Sequence, residues 1–289
     1  MNEQVLKQRH GSVAPGAGEI SVGVSDALTA RIAERVGYKS VFVTGAGVTN
    51  THLGLPDMAF LSFKELLDQV YAIRDAVSVS IAVDADTGFG NAINVGRTVR
   101  LLERAGADSI TIEDQVSPKR CGHFQGKAVI SAAEMVQKIK AAVDARKSPK
   151  TLIQARTDAR ATEGLDAALD RARAYQEAGA DLLFVEAPLS LEELARIPAE
   201  VPGVHTCNMV IGGLTPILER AELARLGFAR IGYANAGLQT AAAAVEAVFR
   251  HLMDHGSIRG FEGRVLSFAE RQGLLNKDHF DELESRYSS

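Results

Sequence analysis

The sequence predicts a closed (β/α)8 barrel, and three observations carry that prediction. Eight short apolar runs rich in β-branched residues alternate with eight longer segments whose apolar residues recur three or four apart. Most of the short runs are apolar on both faces, as strands covered on both sides of a parallel sheet must be. No Gly-x-Gly-x-x-Gly follows the first run, which removes the signature of a dinucleotide-binding doubly wound sheet.

The elements follow in order. A strand over 20–24 feeds a helix over 27–36, and a strand over 41–43 precedes a helix over 63–76. Strand 79–83 pairs with helix 95–105, strand 110–112 with helix 134–145, and strand 151–153 with helix 165–178. Strand 182–185 leads to helix 191–197, strand 204–206 to helix 216–226, and strand 229–233 to helix 238–252. Gly37, Gly106, Gly179 and Gly227 each stand where a left-handed residue would end a helix. No low-complexity linker divides the series, so residues 18–252 read as one barrel and catalytic domain. Residues 1–17, polar and containing Pro15, read as a flexible arm. Residues 253–289 form a charged, amphipathic helical tail with Phe268, Leu274, Leu275, Phe280 and Leu283. It either packs under its own barrel or reaches a neighbouring subunit, and the residues alone slightly favour the first.

Composition narrows the partners. The 289 residues carry 32 Lys and Arg against 36 Asp and Glu, a net charge of −4, without the basic excess that a nucleic-acid partner selects. No apolar run approaches the roughly 18 residues of a membrane span, and the N-terminus lacks the apolar core of a signal peptide. Two cysteines, Cys121 and Cys207, make no disulfide framework, which points to a reducing, cytoplasmic setting.

Active sites of such barrels are built from loops at the C-terminal ends of the strands, so polar residues just past each run are the candidates. Strand two exits into Thr44-Gly45-Ala46-Gly47, with Asp57 beyond; strand three reaches Asp84 and Asp86; strand four reaches Glu113. Strands five to eight end near Arg156, Glu186, Asn208 and Tyr233. Asp84, Asp86 and Glu113 cannot crowd together without a counter-ion. As an all-oxygen set they suit Mg²⁺, with Mn²⁺ as the second choice, although any one of them alone would read as a helix cap. In Lys119-Arg120-Cys121-Gly122-His123, three potentially cationic side chains surround a thiol, an arrangement that lowers a thiol pKa. Gly122 and nearby Gly126 suit a mobile lid; the plainer alternative is a solvated basic loop. Arg156 has a fork suited to a substrate carboxylate, or to an ion pair with Glu186 or Asp158. Cys207, His52 and His205 read as structural, and Tyr233 reads equally as a site residue or as barrel packing.

Several of these stretches resemble one family. Thr44-Gly45-Ala46-Gly47, Gly54-Leu55-Pro56-Asp57, Asp84-Ala85-Asp86-Thr87-Gly88-Phe89-Gly90-Asn91, Ile112-Glu113-Asp114-Gln115, Pro118-Lys119-Arg120-Cys121-Gly122-His123 and Ala155-Arg156-Thr157-Asp158-Ala159 stand in the order found in the isocitrate lyase/phosphoenolpyruvate mutase superfamily. The Lys-Arg-Cys-Gly-His stretch is similar to the carbon–carbon lyase branch, exemplified by 2-methylisocitrate lyase and dimethylmalate lyase. The resemblance implies Mg²⁺ on Asp84, Asp86 and Glu113, with Asp57 contributing through water. It implies amides around Thr44, Gly45, Ala46 and Gly47 for the carboxylate of a pyruvate-like moiety, with Arg156 on the same half. Glu186, Asn208 and His123 would orient the rest, Cys121 would act as acid/base on a gating loop, and Lys119 and Arg120 would stabilise developing charge. It further implies a homotetramer that exchanges a C-terminal helix, which moves the reading of the tail towards exchange.

The implied activity is Mg²⁺-dependent cleavage of a 2-hydroxy di- or tricarboxylate, of the 2-methylisocitrate type, to pyruvate or another 2-oxo acid plus a dicarboxylate such as succinate. The alternatives are an oxaloacetate hydrolase or decarboxylase, a phosphonate-forming mutase of the carboxyphosphonoenolpyruvate type, and, least consistent with the motifs, a non-catalytic carboxylate-binding barrel. Two departures bear on substrate. Relatives commonly read Asn-Met-x-Glu-Gly-Gly-Lys-Thr-Pro after strand seven, where this chain has Ile211 and Leu214 in place of the Glu and Lys. Past strand eight, Tyr233-Ala234-Asn235-Ala236 replaces a Pro-Leu-Ser type segment.

Overall fold

A computed structural model describes residues 14–124 and 126–288. Eight parallel strands close into a barrel in sequence order. Strand β1 (Glu19–Val24) is followed by α1 (Ala27–Val36), β2 (Ser40–Val43) by α2 (Phe63–Ala76), β3 (Ser80–Asp84) by α3 (Ala92–Arg104), and β4 (Ser109–Glu113) by α4 (Ala132–Ala145). Then come β5 (Leu152–Thr157) and α5 (Leu165–Glu177), β6 (Leu182–Val185) and α6 (Leu191–Glu200), β7 (His205–Asn208) and α7 (Arg220–Leu226), and β8 (Phe228–Tyr233) and α8 (Ala236–His255). Two further helices, α9 (Phe268–Leu274) and α10 (Lys277–Tyr287), complete the chain.

Local chemistry sets these boundaries. Asp26, Ser62 and Asn91 each accept the N3 amide while the N3 side chain returns the bond, which seeds α1, α2 and α3. The four glycines read as helix stops all adopt positive φ. The barrel wall and helix faces share one core, in which Val41, Ile81, Ile110, Ile153 and Ile231 are fully buried.

Most elements shift by up to three residues at an end, and three segments differ more. β5 runs on through Gln154 to Thr157 because these polar residues are satisfied inside the barrel: Gln154 donates to Thr111 Oγ1 at 3.1 Å and accepts from Thr206 Oγ1 at 2.8 Å. α7 starts at Arg220 rather than 216, because residues from Met209 to Glu219 form a loop on the rim. Thr44-Gly45-Ala46-Gly47 is not open loop but the start of a one-turn helix (Gly45–Val48) capped by Thr44 Oγ1.

Of the arm expected over 1–17, residues 1–13 lie outside the described residues. The amides of Gly16 and Gly18 donate to Gly227 and Phe228 carbonyls, so the remainder is tied to the barrel rather than loose. Phe261 and Leu274 are buried and α9 packs against α1, whereas α8 buries none of its 20 residues. No helix among the described residues is long and apolar enough to cross a membrane.

Candidate active site

The barrel register brings the polar strand ends together. Asp84 closes β3 beside Thr111, and Glu113 closes β4 opposite Arg156. Asp86 adopts a left-handed backbone (φ 48°), an uncommon and costly state for a side chain other than glycine. Its carbonyl accepts from Glu113 N at 2.9 Å and its amide donates to Asp84 Oδ1 at 3.0 Å, so the neighbouring strand ends hold it there. Gly45 lies against the same acids: a Cβ there would stand 3.0 Å from Asp86 Oδ1.

These acids are short of counter-charge. Burial raises the Asp86 carboxyl to about 7, with Asp84 and Asp57 adding to the rise and Lys119 opposing it. Burial likewise lifts Glu113 well above the carboxylate range, although Arg156 works against it. Lys119, 4% exposed, lies 2.5 Å from Asp57 Oδ1 and 3.0 Å from Asp86 Oδ1. Burial disfavours its charge, but Asp86, Glu113, Asp84 and Asp57 outweigh it and keep the ammonium protonated.

Among the described residues, no three His, Cys, Asp or Glu side chains converge into a ready-made metal cage. The donor set nevertheless fits a hard divalent cation. Glu113 Oε1 is buried without a hydrogen-bond partner, Asp86 Oδ1 meets only the Lys119 ammonium, and Mg²⁺ needs only one or two carboxylates, filling its shell with water and substrate oxygens.

Arg156 is the second focus. Its Nε lies 2.9 Å from Asp158 Oδ2, 3.3 Å from Glu113 Oε2 and 3.7 Å from Glu186 Oε2, and its guanidinium stacks over Phe184. Both ion pairs open to it in the sequence are therefore made. Burial alone would raise Asp158 and Glu186, but Arg156, with Lys127 at the first and His123 at the second, outweighs it and lowers both. His123 Nδ1 accepts from Leu214 N at 3.0 Å, which puts the ring proton on Nε2, 3.0 Å from Glu186 Oε1. Gly213 permits that approach, since a Cβ there would come within 2.8 Å of His123 Nδ1.

The thiol departs from expectation. Cys121 is half-buried, its amide donating to Asp57 O at 3.2 Å. Burial, with Asp57 and Glu186, pushes its pKa up from 9.0, outweighing the His123 backbone contact and Arg156. The expected lowering by neighbouring cations is thus corrected: Lys119 is held among carboxylates, and Arg120 is exposed, its backbone paired with the Gln115 side chain.

One small cavity, about 40 Å³ and so with room for roughly three waters, is lined by Thr44, Ala46, Asp57, Asp84, Cys121, His123, Arg156, Glu186 and Asn208. Asp86, Glu113 and Lys119 are buried beside this set without lining the cavity. Gly47 gives its amide to Thr44 Oγ1 at 2.7 Å, so the expected row of amides reduces to Gly45 and Ala46 at the helix start. Tyr233 packs against the core and does not line this cavity, the packing side of its two readings. Lining residues assigned no role from the sequence are Phe42, Thr111, Phe184, Val210, Ala234 and Asn235, although the last two belong to the segment after strand eight whose departure was read as bearing on substrate. The first three are inward positions on β2, β4 and β6 that strand alternation could have flagged. The last three are on rim loops, where no periodicity applies. His205 and Cys207 are buried in β7, as their structural reading expected.

Comparison with known proteins follows the same lines. The family model described as phosphoenolpyruvate phosphomutase matches residues 16–253. A 2,3-dimethylmalate lyase from Eubacterium barkeri is 43% identical over 286 residues, covering 99% of this chain and 96% of its own. A 2-methylisocitrate lyase from Aeropyrum pernix is 39% identical over 285 residues, covering 99% and 89%. The crystal structure of a phosphonopyruvate hydrolase in complex with oxalate and Mg²⁺ aligns with a TM-score of 0.87 at 29% identity, over 99% of both chains.

Proposed function

The chain belongs to the phosphoenolpyruvate mutase/isocitrate lyase superfamily, and from that membership we propose that it is a magnesium-dependent carbon–carbon lyase cleaving a 2-hydroxy acid that carries a further carboxylate. The observation that carries this reading is the Cys121 thiol, kept protonated by burial, lining the same cavity as Asp84, Arg156 and Glu186. Mg²⁺ held by Asp84, Asp86 and Glu113 would supply a Lewis acid for the 2-hydroxyl oxygen and its neighbouring carboxylate.

The chain's own groups do the rest. Cleavage breaks C2–C3: the hydroxyl loses its proton and becomes the carbonyl of the 2-oxo acid, while the bond's electron pair passes to C3 and the carboxylate beside it. Cys121 Sγ–H donates its proton to C3, and the resulting thiolate regains, through solvent, the proton that the hydroxyl lost. A thiol with a raised pKa is the right form for this task, because it enters the step as an acid. Arg156 pairs with Glu113 and Glu186, and His123 keeps its Nε2 3.0 Å from Glu186 Oε1.

Charge argues for a dicarboxylate rather than a tricarboxylate substrate. Among the described residues, the Lys and Arg side chains that pair with Asp57, Asp86, Glu113, Asp158 and Glu186 are Lys119, Lys127 and Arg156, with the His123 ring 3.0 Å from Glu186, and all three of these cations are already paired. A third carboxylate would need another cation, and Leu214 stands where relatives commonly carry a Lys. The 2,3-dimethylmalate type therefore fits better than 2-methylisocitrate. Product release should be measured with Mg²⁺ and with EDTA: pyruvate from 2,3-dimethylmalate and 2-methylisocitrate, glyoxylate from isocitrate, oxalate or pyruvate from oxaloacetate, and phosphate from phosphonopyruvate. We expect 2,3-dimethylmalate to give the highest kcat/KM, and EDTA to abolish its turnover. Turnover confined to oxaloacetate or phosphonopyruvate would replace the lyase reading with hydrolysis or phosphorus–carbon chemistry.

The same reading includes a homotetramer with an exchanged tail. α8 leaves Val245, Phe249 and Met253 exposed along an open groove of about 760 Å³, and the tail exposes Phe268, Leu275 and Phe280. Apolar patches of this kind mark association surfaces. Light scattering should give four times the chain mass, and Phe249→Asp with Met253→Asp should reduce it; a wild-type monomer would refute the assembly.

A further inference from the structure

Lys127 lies outside every motif singled out in the sequence, yet its side chain is 2% exposed. Its Nζ donates to Asp158 Oδ1 at 2.9 Å and to the carbonyl of Gly122, one peptide beyond Cys121. Asp158 in turn takes two hydrogen bonds from Arg156, Nε at 2.9 Å and Nη2 at 3.2 Å. Gly122 rests directly on that arginine, since a Cβ there would stand 2.4 Å from Arg156 Nη2 and 2.6 Å from Glu186 Cγ. One ammonium thus joins the peptide beside the thiol to the carboxylate that aims the guanidinium.

We infer that Lys127 is a positioning residue that seats Cys121 over the site and couples its placement to that of Arg156 through their shared partner, Asp158. A buried lysine needs charged or strongly polar acceptors, and the two it has are those that fix the loop and the arginine. Without the ammonium, the Gly122 carbonyl loses its tie to Asp158, and the Asp158 carboxylate keeps Arg156 alone. The effect on turnover rests on the lyase reading; the effect on the thiol's accessibility does not.

The test is Lys127→Met, which keeps the chain length and removes the charge. The reaction of Cys121 with 5,5′-dithiobis(2-nitrobenzoate) is followed without metal or substrate, and buried Cys207 is the internal control. We expect Cys121 to react about tenfold faster than in the wild type as the loop lifts, with Cys207 still silent. With the substrate found in the panel, kcat should fall about a hundredfold with little change in KM, and Lys127→Arg should recover much of it. An unchanged Cys121 rate, or Cys207 reacting as well, would overturn the tether. If the Met variant does not fold, Lys127→Gln is judged by the same two thiols. An inactive wild type would sink the proposed function and leave the tether to be decided by labelling.

Discussion

Cys121→Ser should lose cleavage by about 10²- to 10⁴-fold while still binding Mg²⁺ and oxalate with wild-type affinity. A serine hydroxyl is a far weaker acid than a thiol, so the carbanion at C3 would lack its proton donor although the groups proposed to hold the metal and the carboxylate are unchanged. Turnover by pyruvate release and affinity by calorimetry separate the two effects, and near-wild-type turnover would remove Cys121 from the mechanism. The pH profile gives an independent check. Burial raises the thiol pKa from 9.0, so the acid form persists through neutrality and is lost only as pH climbs through the raised value. The alkaline limb of kcat should therefore lie above pH 9 in the wild type; a limb near 7 would signal a thiolate and a different role.

Arg156→Leu should cost about 3–5 kcal/mol of stability at pH 7, because it removes the guanidinium facing Glu113, Asp158 and Glu186 and leaves buried carboxylates uncompensated. On a chain of this size that corresponds to a fall in Tm of roughly 5–8 °C. The sign of the pH dependence follows. Burial alone raises Asp158 and Glu186, but Arg156 brings both below their ordinary value, so they contribute stability present above the unfolded carboxylate pKa and lost as pH falls through the folded one. In the variant that contribution shrinks to what Lys127 and His123 still supply, and protonating the under-compensated acids relieves their repulsion. Urea unfolding at pH 7 and pH 5 should therefore show the deficit narrowing at the lower pH. A deficit that widened towards pH 5 would mean that Arg156 is not the group holding those carboxylates charged.

The fold was legible because its signals are local and repeated. Apolar runs, helical spacing and glycine stops each follow from a few neighbouring residues, and closure of the barrel satisfies all eight strands at once. The gathering of Asp84, Arg156, Glu186 and Asn208 at one rim cavity was legible for a similar reason: a polar residue that ends an apolar strand has few places to go except the rim. What the sequence could not give is which charges meet. Lys119 and Cys121 are two residues apart, yet the lysine is drawn to Asp57 and Asp86 from other rim loops, while the thiol is half-buried near the carboxylates of Asp57 and Glu186. The expected lowering of the thiol pKa failed because it counted neighbours in sequence rather than across the barrel. Lys127 escaped notice for the same reason, since its partners are 5 and 31 positions away. Tyr233 was ambiguous because a residue at a strand end can turn either to the rim or to the surrounding helices.

Gly122 puts bare main chain over Arg156 and Glu186. A ceiling of that kind brings no reactive group of its own, so the character of the chamber beneath depends on the two neighbours it carries, the sulfur before it and the imidazole after it. Exchanging residue 121 should then redirect what the enzyme does to a bound molecule while leaving the way the ceiling is fastened untouched.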